Sequence, residues 1–253
     1  MQLPDFCTSG RTALITGAAR GIGLAMAEAL AAGGAIVGIQ DIDSAVAREA
    51  ADRINAAGGR AVAFGGDLAD VAMPDRLAAE AVAAMGQVDI LINNGSIQSQ
   101  VSFAEQDLNR VRTEFEANIV APMRLCQLLI PPMAERRWGR VINLGSIQGI
   151  RGNAHMAAYA ISRAAMTNLT IGLAKKYGKQ GVTVNCIAPG WYNTYRNEWD
   201  LKDEETKRDR GKWLPLGRLG EPQDCAGMCV LLCSRAGEYI TGQTLYVDGG
   251  MSV

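Results

Sequence analysis

Short apolar runs alternate with helical segments along almost the whole chain, and this rhythm restricts the fold more than any other feature. "TALITG", "AIVGIQD", "AVAFGGD", "VDILINN", "RVINLGS", "VTVNCIAPG" and "TLYVDGG" read as strands. Between them lie "GIGLAMAEALAAGG", "SAVAREAADRINAAGG" and "MPDRLAAEAVAAMG", each ending at glycine in the manner of a helix. A long helical region is expected over about 106–137, a further helix carries "YAISRAAM", and another carries "EPQDCAGMCVLLCS". The strands are continuously apolar rather than alternating. That pattern suits parallel strands covered on both faces by helices. No repeat, low-complexity tract or linker interrupts the rhythm, so residues 1–253 are expected to form one α/β domain.

The first strand runs directly into "TGAARGIG", residues 16–23. Gly17, Gly21 and Gly23 stand between strand and helix, where they permit a tight turn, close backbone approach and close helix–strand packing. The helix N-terminus then offers free N–H groups to the pyrophosphate of a dinucleotide. About 24 residues on, the second strand ends at Asp41. A carboxylate there accepts hydrogen bonds from an adenosine ribose and repels a 2′-phosphate. Arg20 in the loop leans the other way, but the strand-end carboxylate carries more weight, so NAD is expected over NADP.

Composition narrows the partners. Lys and Arg total 25 against 26 Asp and Glu, so no overall field recruits nucleic acid or an anionic membrane. No apolar run is long enough to span a bilayer, and the start lacks a basic region followed by an apolar stretch. A cytoplasmic protein is expected. Cys225, Cys229 and Cys233 recur every four residues, and no Cys-x-x-Cys pair or nearby histidine accompanies them. They read as small buried thiols on one helix face, and no metal site is expected.

In "AHMAAYAISRAAM" Tyr159 and Arg163 are four residues apart, which on a helix places a phenol and a guanidinium on one face. With "TGAARGIG", the order and spacing of "GDLAD", "LINNGS", "FEANIVA", "VINLGSIQG", "APGWYNT" and "YVDGG" resemble the single-domain short-chain dehydrogenase/reductase family over nearly the whole chain. The resemblance implies a doubly wound Rossmann domain with a parallel seven-stranded sheet and helices on both faces. It implies a catalytic set of Asn118, Ser146, Tyr159 and Arg163. Ser146 would hold the substrate oxygen, Tyr159 would exchange the proton, and Asn118 would support a water chain to solvent. It places the cofactor against Gly17, Arg20, Gly21, Ile22, Gly23, Asp41, Ile42, Asp67, Leu68, Asn93, Gly95, Pro189, Gly190, Tyr192 and Thr194, together with Tyr159 and Arg163. Two departures stand out. Arg163 occupies the position of the family's lysine, and "NNGS" replaces Asn-Asn-Ala-Gly, leaving Ser96 beside the cofactor. A phenolate near neutral pH needs about 3 pKa units, or about 4 kcal/mol, of help from such a cation. Arginine keeps the charge but not the compact shape. Family members usually assemble as tetramers, so a homotetramer is expected.

Between Ser146 and Tyr159 lie Gln148, Arg151, Asn153 and His155, a polar lining for a cleft, and Trp191 follows the nicotinamide-contacting Pro-Gly. Ser146, Gln148, His155 and Trp191 are the expected substrate contacts, suited to a sugar, polyol or sugar acid. Arg151 and Arg196 would suit an anion instead, although Arg151 also reads as a solvated residue and His155 as a helix-start residue. The polar stretch 191–215 reads as a surface helix or as a lid over the cleft. Two rivals remain. A 3-oxoacyl-carrier-protein reductase would use NADPH and a basic patch at "ERRWGR", a run that also reads as a solvated helix end. A dinucleotide-binding protein without turnover is the other.

Overall fold

Seven strands form one sheet in the order β3-β2-β1-β4-β5-β6-β7, every neighbouring pair parallel. They are β1 Thr12–Thr16, β2 Ile36–Asp41, β3 Arg60–Gly65, β4 Ile90–Asn93, β5 Gly139–Leu144, β6 Val182–Pro189 and β7 Thr244–Val247. The computed structural model describes residues 5–198 and 200–253. Residues 1–4 and Trp199 of the polar stretch lie outside the described residues.

The sheet is two-sided because successive side chains along a strand point to opposite faces. Ala13 and Ile15 of β1 enter one core and Leu14 enters the other, and β4 repeats the pattern with Ile90 and Ile92 against Leu91. The first core is closed by α1 Gly21–Ala32, α2 Ser44–Ala56 and α9 Pro222–Cys233. The second is closed mainly by α3 Met73–Met85, α5 Ala121–Glu135 and α7 Ala157–Tyr177. α4 Leu108–Phe115, the short α6 Gln148–Arg151 and α8 Glu204–Gly211 complete the helices of the described residues. Cys225, Cys229 and Cys233 are fully buried against α1, as a thiol stripe on an apolar face should be. No helix among the described residues is long and apolar enough to cross a membrane.

The helical region expected over 106–137 is not one regular helix. It begins at Leu108 and passes through a π-helical turn, Glu116–Val120, before α5. "ERRWGR" is not a free basic patch either. Arg140 is buried in β5 and stacks on Trp138, and Arg136 donates to the Val88 carbonyl and approaches Asp89.

The chain reverses its winding between β1 and β4, and this switch point opens a crevice at the carboxyl ends of the strands, where doubly wound sheets bind ligands.

Candidate functional site

The crevice begins with the glycine loop. Gly17 has φ +58°, and a Cβ there would lie 2.6 Å from Gly95 Cα, so the loop after β1 and the loop after β4 touch backbone to backbone. The contact is stitched by hydrogen bonds. The Asn94 and Gly95 N–H groups donate to Thr16 Oγ1, and Asn94 Nδ2 donates to the carbonyls of Thr16 and Gly17. From the other side the Gly17 N–H donates to Gln40 Oε1 and the Ala19 N–H to Asp41 Oδ2. Arg20, the residue before α1, caps no N–H with its side chain, and the first turn of α1 carries no acid. The orphan N–H groups there therefore face the cleft with the positive end of the helix, a cradle that fits a pyrophosphate.

Asn93 was expected at the cofactor, and the structure places it elsewhere. Its side chain is buried and donates to Asn143 Oδ1 at 2.9 Å, and Asn143 in turn donates to Thr170 Oγ1. Strand alternation sends Asn93 into the core and leaves Asn94 at the cleft. Tyr192 borders the cleft and is anchored from the core side. Its ring lies in the core, its hydroxyl donates to the Val247 carbonyl at 2.8 Å and accepts from Cys225, and burial pushes its pKa up. Asn118 is a second correction. Its amide is buried, accepts from the Ile97 N–H at 2.7 Å and donates to the Ile97 carbonyl at 2.8 Å and to Ser162 at 3.2 Å. Those bonds make it a positioning residue for the loop after β4. Leu68 is also a core residue, Gly95 is buried against Gly17, and Asp67 and Ile42 are exposed outside the main cleft.

The cleft has a volume of about 600 Å³. Gly17, Arg20, Gly21, Ile22 and Gly23 line one end, and Pro189, Gly190 and Thr194 border it after β6. Ser146, Gln148, His155, Tyr159, Arg163 and Trp191 line the same cleft. Arg151 is exposed and stands outside. Sequence reasoning missed Asn94, Gln98, Gln100, Asp200 and Arg210, all of which line the cleft. Their signal is tertiary: Arg210 pairs with Asp200 at 2.7 Å and its guanidinium lies 5.3 Å from the centre of the Trp191 ring.

Tyr159 sits in the first turn of α7, and the Arg163 guanidinium lies 4.9 Å from its ring centre. Arg163 is buried, donates from Nη1 to the Leu144 carbonyl at 2.7 Å and leaves Nε without a partner. Burial pushes the Tyr159 phenol toward its neutral form. The charges of Arg163 and Arg196 and the Ser146 hydroxyl outweigh that, so its pKa lies below the ordinary tyrosine value. Burial lowers the pKa of Arg163 itself, yet an arginine so placed keeps its proton. Ser146 Oγ accepts from the Gln148 N–H at 3.1 Å, which leaves its hydroxyl proton free to donate. The arrangement offers a hydroxyl donor and an acidified phenol in the same cleft as a phosphate cradle. It is suited to moving a proton to or from an alcohol oxygen.

The family described as enoyl-(acyl carrier protein) reductase matches residues 17–252. Among curated relatives, a galactitol 2-dehydrogenase of Agrobacterium fabrum is 38% identical over 255 residues, covering 96% of this chain and 97% of that one. A 3-oxoacyl-[acyl-carrier-protein] reductase of Chlamydia trachomatis is 33% identical over 248 residues, with 96% and 97% covered. Among solved structures, a putative NAD(P)-dependent gluconate 5-dehydrogenase of Beutenbergia cavernae with bound NADP superposes with TM-score 0.91 at 37% identity, covering 97% of this chain and 98% of that one.

Proposed function

The chain belongs to the short-chain dehydrogenase/reductase family, and on that premise we propose that it moves a hydride between a nicotinamide cofactor, NAD in preference to NADP, and the secondary alcohol or ketone of a polar substrate: a sugar, polyol or sugar acid. The observation that carries this reading is one cleft that joins Ser146 and a Tyr159 of lowered pKa to the open N-terminus of α1.

The cofactor supplies or accepts the hydride. The chain's own residues do the rest. The glycine loop and α1 hold the phosphates. Asp41 receives the adenosine ribose hydroxyls, as its place at the end of β2 allows. Ser146 donates a hydrogen bond to the substrate oxygen. Tyr159, as phenolate, takes the alcohol proton when the C–H bond is broken, or as phenol returns it to a ketone. Arg163 stands where the family's lysine is expected and supplies the cation that favours phenolate. The stretch 191–215 closes over the substrate as a lid. Support for a polar substrate comes from the uncommitted side-chain amides of Gln98, Gln100 and Gln148, which make no hydrogen bond within the described residues and border the cleft.

The test is oxidation of a panel of sugars, polyols and sugar acids with NAD⁺ and NADP⁺, read at the NADH absorbance. Turnover of at least one polyhydroxylated substrate with NAD⁺ preferred is expected. Alanine variants of Gln148, His155 and Trp191 should raise KM while cofactor affinity stays near normal. Activity confined to a 3-oxoacyl thioester with NADPH moves the protein to the carrier-protein reductases. Cofactor binding without turnover of any substrate leaves a dinucleotide-binding protein.

A further inference from the structure

Four arginines reach the cleft, and two of them are committed to other groups of the protein. Arg20 is exposed at the start of α1, beside the phosphate cradle, with its guanidinium toward the Tyr195 ring. Arg163 is committed to the Leu144 carbonyl and Tyr159. Arg210 is paired with Asp200, the one acid on the cleft wall among the described residues. Arg196 differs. Nη1 donates to Ser96 Oγ at 2.6 Å and Nη2 to the Ser96 carbonyl at 3.0 Å, both neutral acceptors. No carboxylate lies within ion-pair distance of it among the described residues, and none pairs with Arg20 either, but Arg20 stands at the phosphate cradle and makes no hydrogen bond that fixes its guanidinium.

We propose that Arg196, held in place by Ser96, is a carboxylate anchor on the wall of the cleft, so that the substrate is a sugar acid rather than a neutral sugar or polyol. The inference rests on the oxidoreductase reading above and narrows it. An arginine is a planar fork that matches a carboxylate, and its charge-assisted hydrogen bonds exceed those it makes to a serine. Ser96 holds the fork at two points before any ligand arrives, so little orientational freedom is lost on binding. The two residues come from separate loops, after β4 and after β6, that meet at the cleft, and Gln98 and Gln100 stand beside them with free amides for hydroxyl groups. A ligand with one carboxylate and several hydroxyls meets that set of groups; a neutral polyol leaves the guanidinium unanswered. The chemistry balances without touching the carboxylate. The C–H electron pair of a secondary alcohol leaves as hydride to NAD(P)⁺, the hydroxyl proton passes to Tyr159, and a keto acid forms.

The decisive measurement is the ratio of affinities for an acid and its neutral counterpart. The NAD-loaded protein is titrated calorimetrically with D-gluconate against D-glucitol, D-galactonate against galactitol, and hexuronates against hexoses. At least one acid should bind about 30-fold more tightly than its partner, equivalent to about 2 kcal/mol. Arg196→Gln should bring that ratio close to one, and Arg196→Lys should restore part of it. NAD affinity is measured alongside. The proposal is overturned if every acid binds no better than its neutral partner, if the ratio survives Arg196→Gln, or if Arg196→Gln loses NAD binding instead. Turnover separates this failure from that of the broader reading. Oxidation of neutral polyols with a ratio near one sinks the anchor alone. Selective acid binding lost in Arg196→Gln, in a protein that oxidises nothing, sinks the oxidoreductase and leaves the anchor.

Discussion

At the scale of residues, Tyr159 is pulled two ways. Burial favours the neutral phenol, while Arg163, Arg196 and Ser146 favour phenolate and prevail. Phenolate is the form that accepts a proton in alcohol oxidation, so oxidation should rise as pH climbs through this lowered pKa. Removing a cation raises the pKa, and Arg163→Ala should therefore move the rising limb to higher pH. Arg163→Lys retains the charge and should hold the limb nearer its original position; a lysine that raised kcat by orders of magnitude would mark Arg163 as an impairment. Tyr159→Phe should cost about 10²–10⁴ in kcat with cofactor affinity kept. A kcat–pH series on these variants checks both effects, and a limb unmoved in Arg163→Ala would assign the proton acceptor elsewhere. Asp41 makes a second prediction. Its Oδ2 accepts from the Ala19 N–H, which keeps the carboxylate beside the glycine loop. Asp41→Ser should narrow the preference for NAD over NADP by about tenfold, or about 1.4 kcal/mol. An unchanged ratio of kcat/KM values would place the ribose partner at another residue, Asp43 first.

At the scale of elements, the π turn between α4 and α5 is the device that matters. It inserts an extra residue into the helical ladder and turns Asn118 toward Ile97. One amide then holds both the N–H and the carbonyl of the loop that carries Ser96 and Gln98. Asn118→Ala leaves two partly buried backbone groups unanswered, and about 1–3 kcal/mol of stability should be lost. Urea unfolding measures this directly. Asn118→Asp, which still accepts from the Ile97 N–H but sets a second buried acceptor against the Ile97 carbonyl, should not recover the loss. Equal stability of all three proteins would remove the anchoring role.

For the whole molecule, the two-faced core determines which thiols are reachable. Cys126, Cys186, Cys225, Cys229 and Cys233 are buried and Cys7 is exposed. Burial pushes the Cys126 thiol up to about 12 and Cys225 up to about 11, which further slows their reaction. A thiol reagent at neutral pH should therefore modify one cysteine per native chain, Cys7, and all six after unfolding. Rapid modification of a second thiol would show that the core opens. The surface carries its own prediction. Leu108, Val120 and Met123 around α4 and α5, and Ile161 and Ile171 on α7, are exposed apolar side chains. Such clusters are what subunit contacts cover. Light scattering should give four chains per particle, and Ile161→Glu should lower that mass; a monomer in both would dismiss the tetramer.

Much of this was written locally. A continuously apolar strand followed by an amphipathic helix specifies a buried parallel sheet, and a glycine loop between strand and helix specifies where phosphates rest, because both depend on residues a few positions apart. Tyr159 and Arg163 were legible for the same reason, one helical turn separating them. Tertiary structure decided the rest. It chose Asn94 over Asn93 for the cleft through the facing of β4, and it drew Tyr192 into the core against Val247. It joined Ser96 to Arg196 across 100 positions and buried Arg140 against Trp138. A side chain's partner there is set by which loops meet at a sheet edge, and no spacing within one segment encodes that meeting.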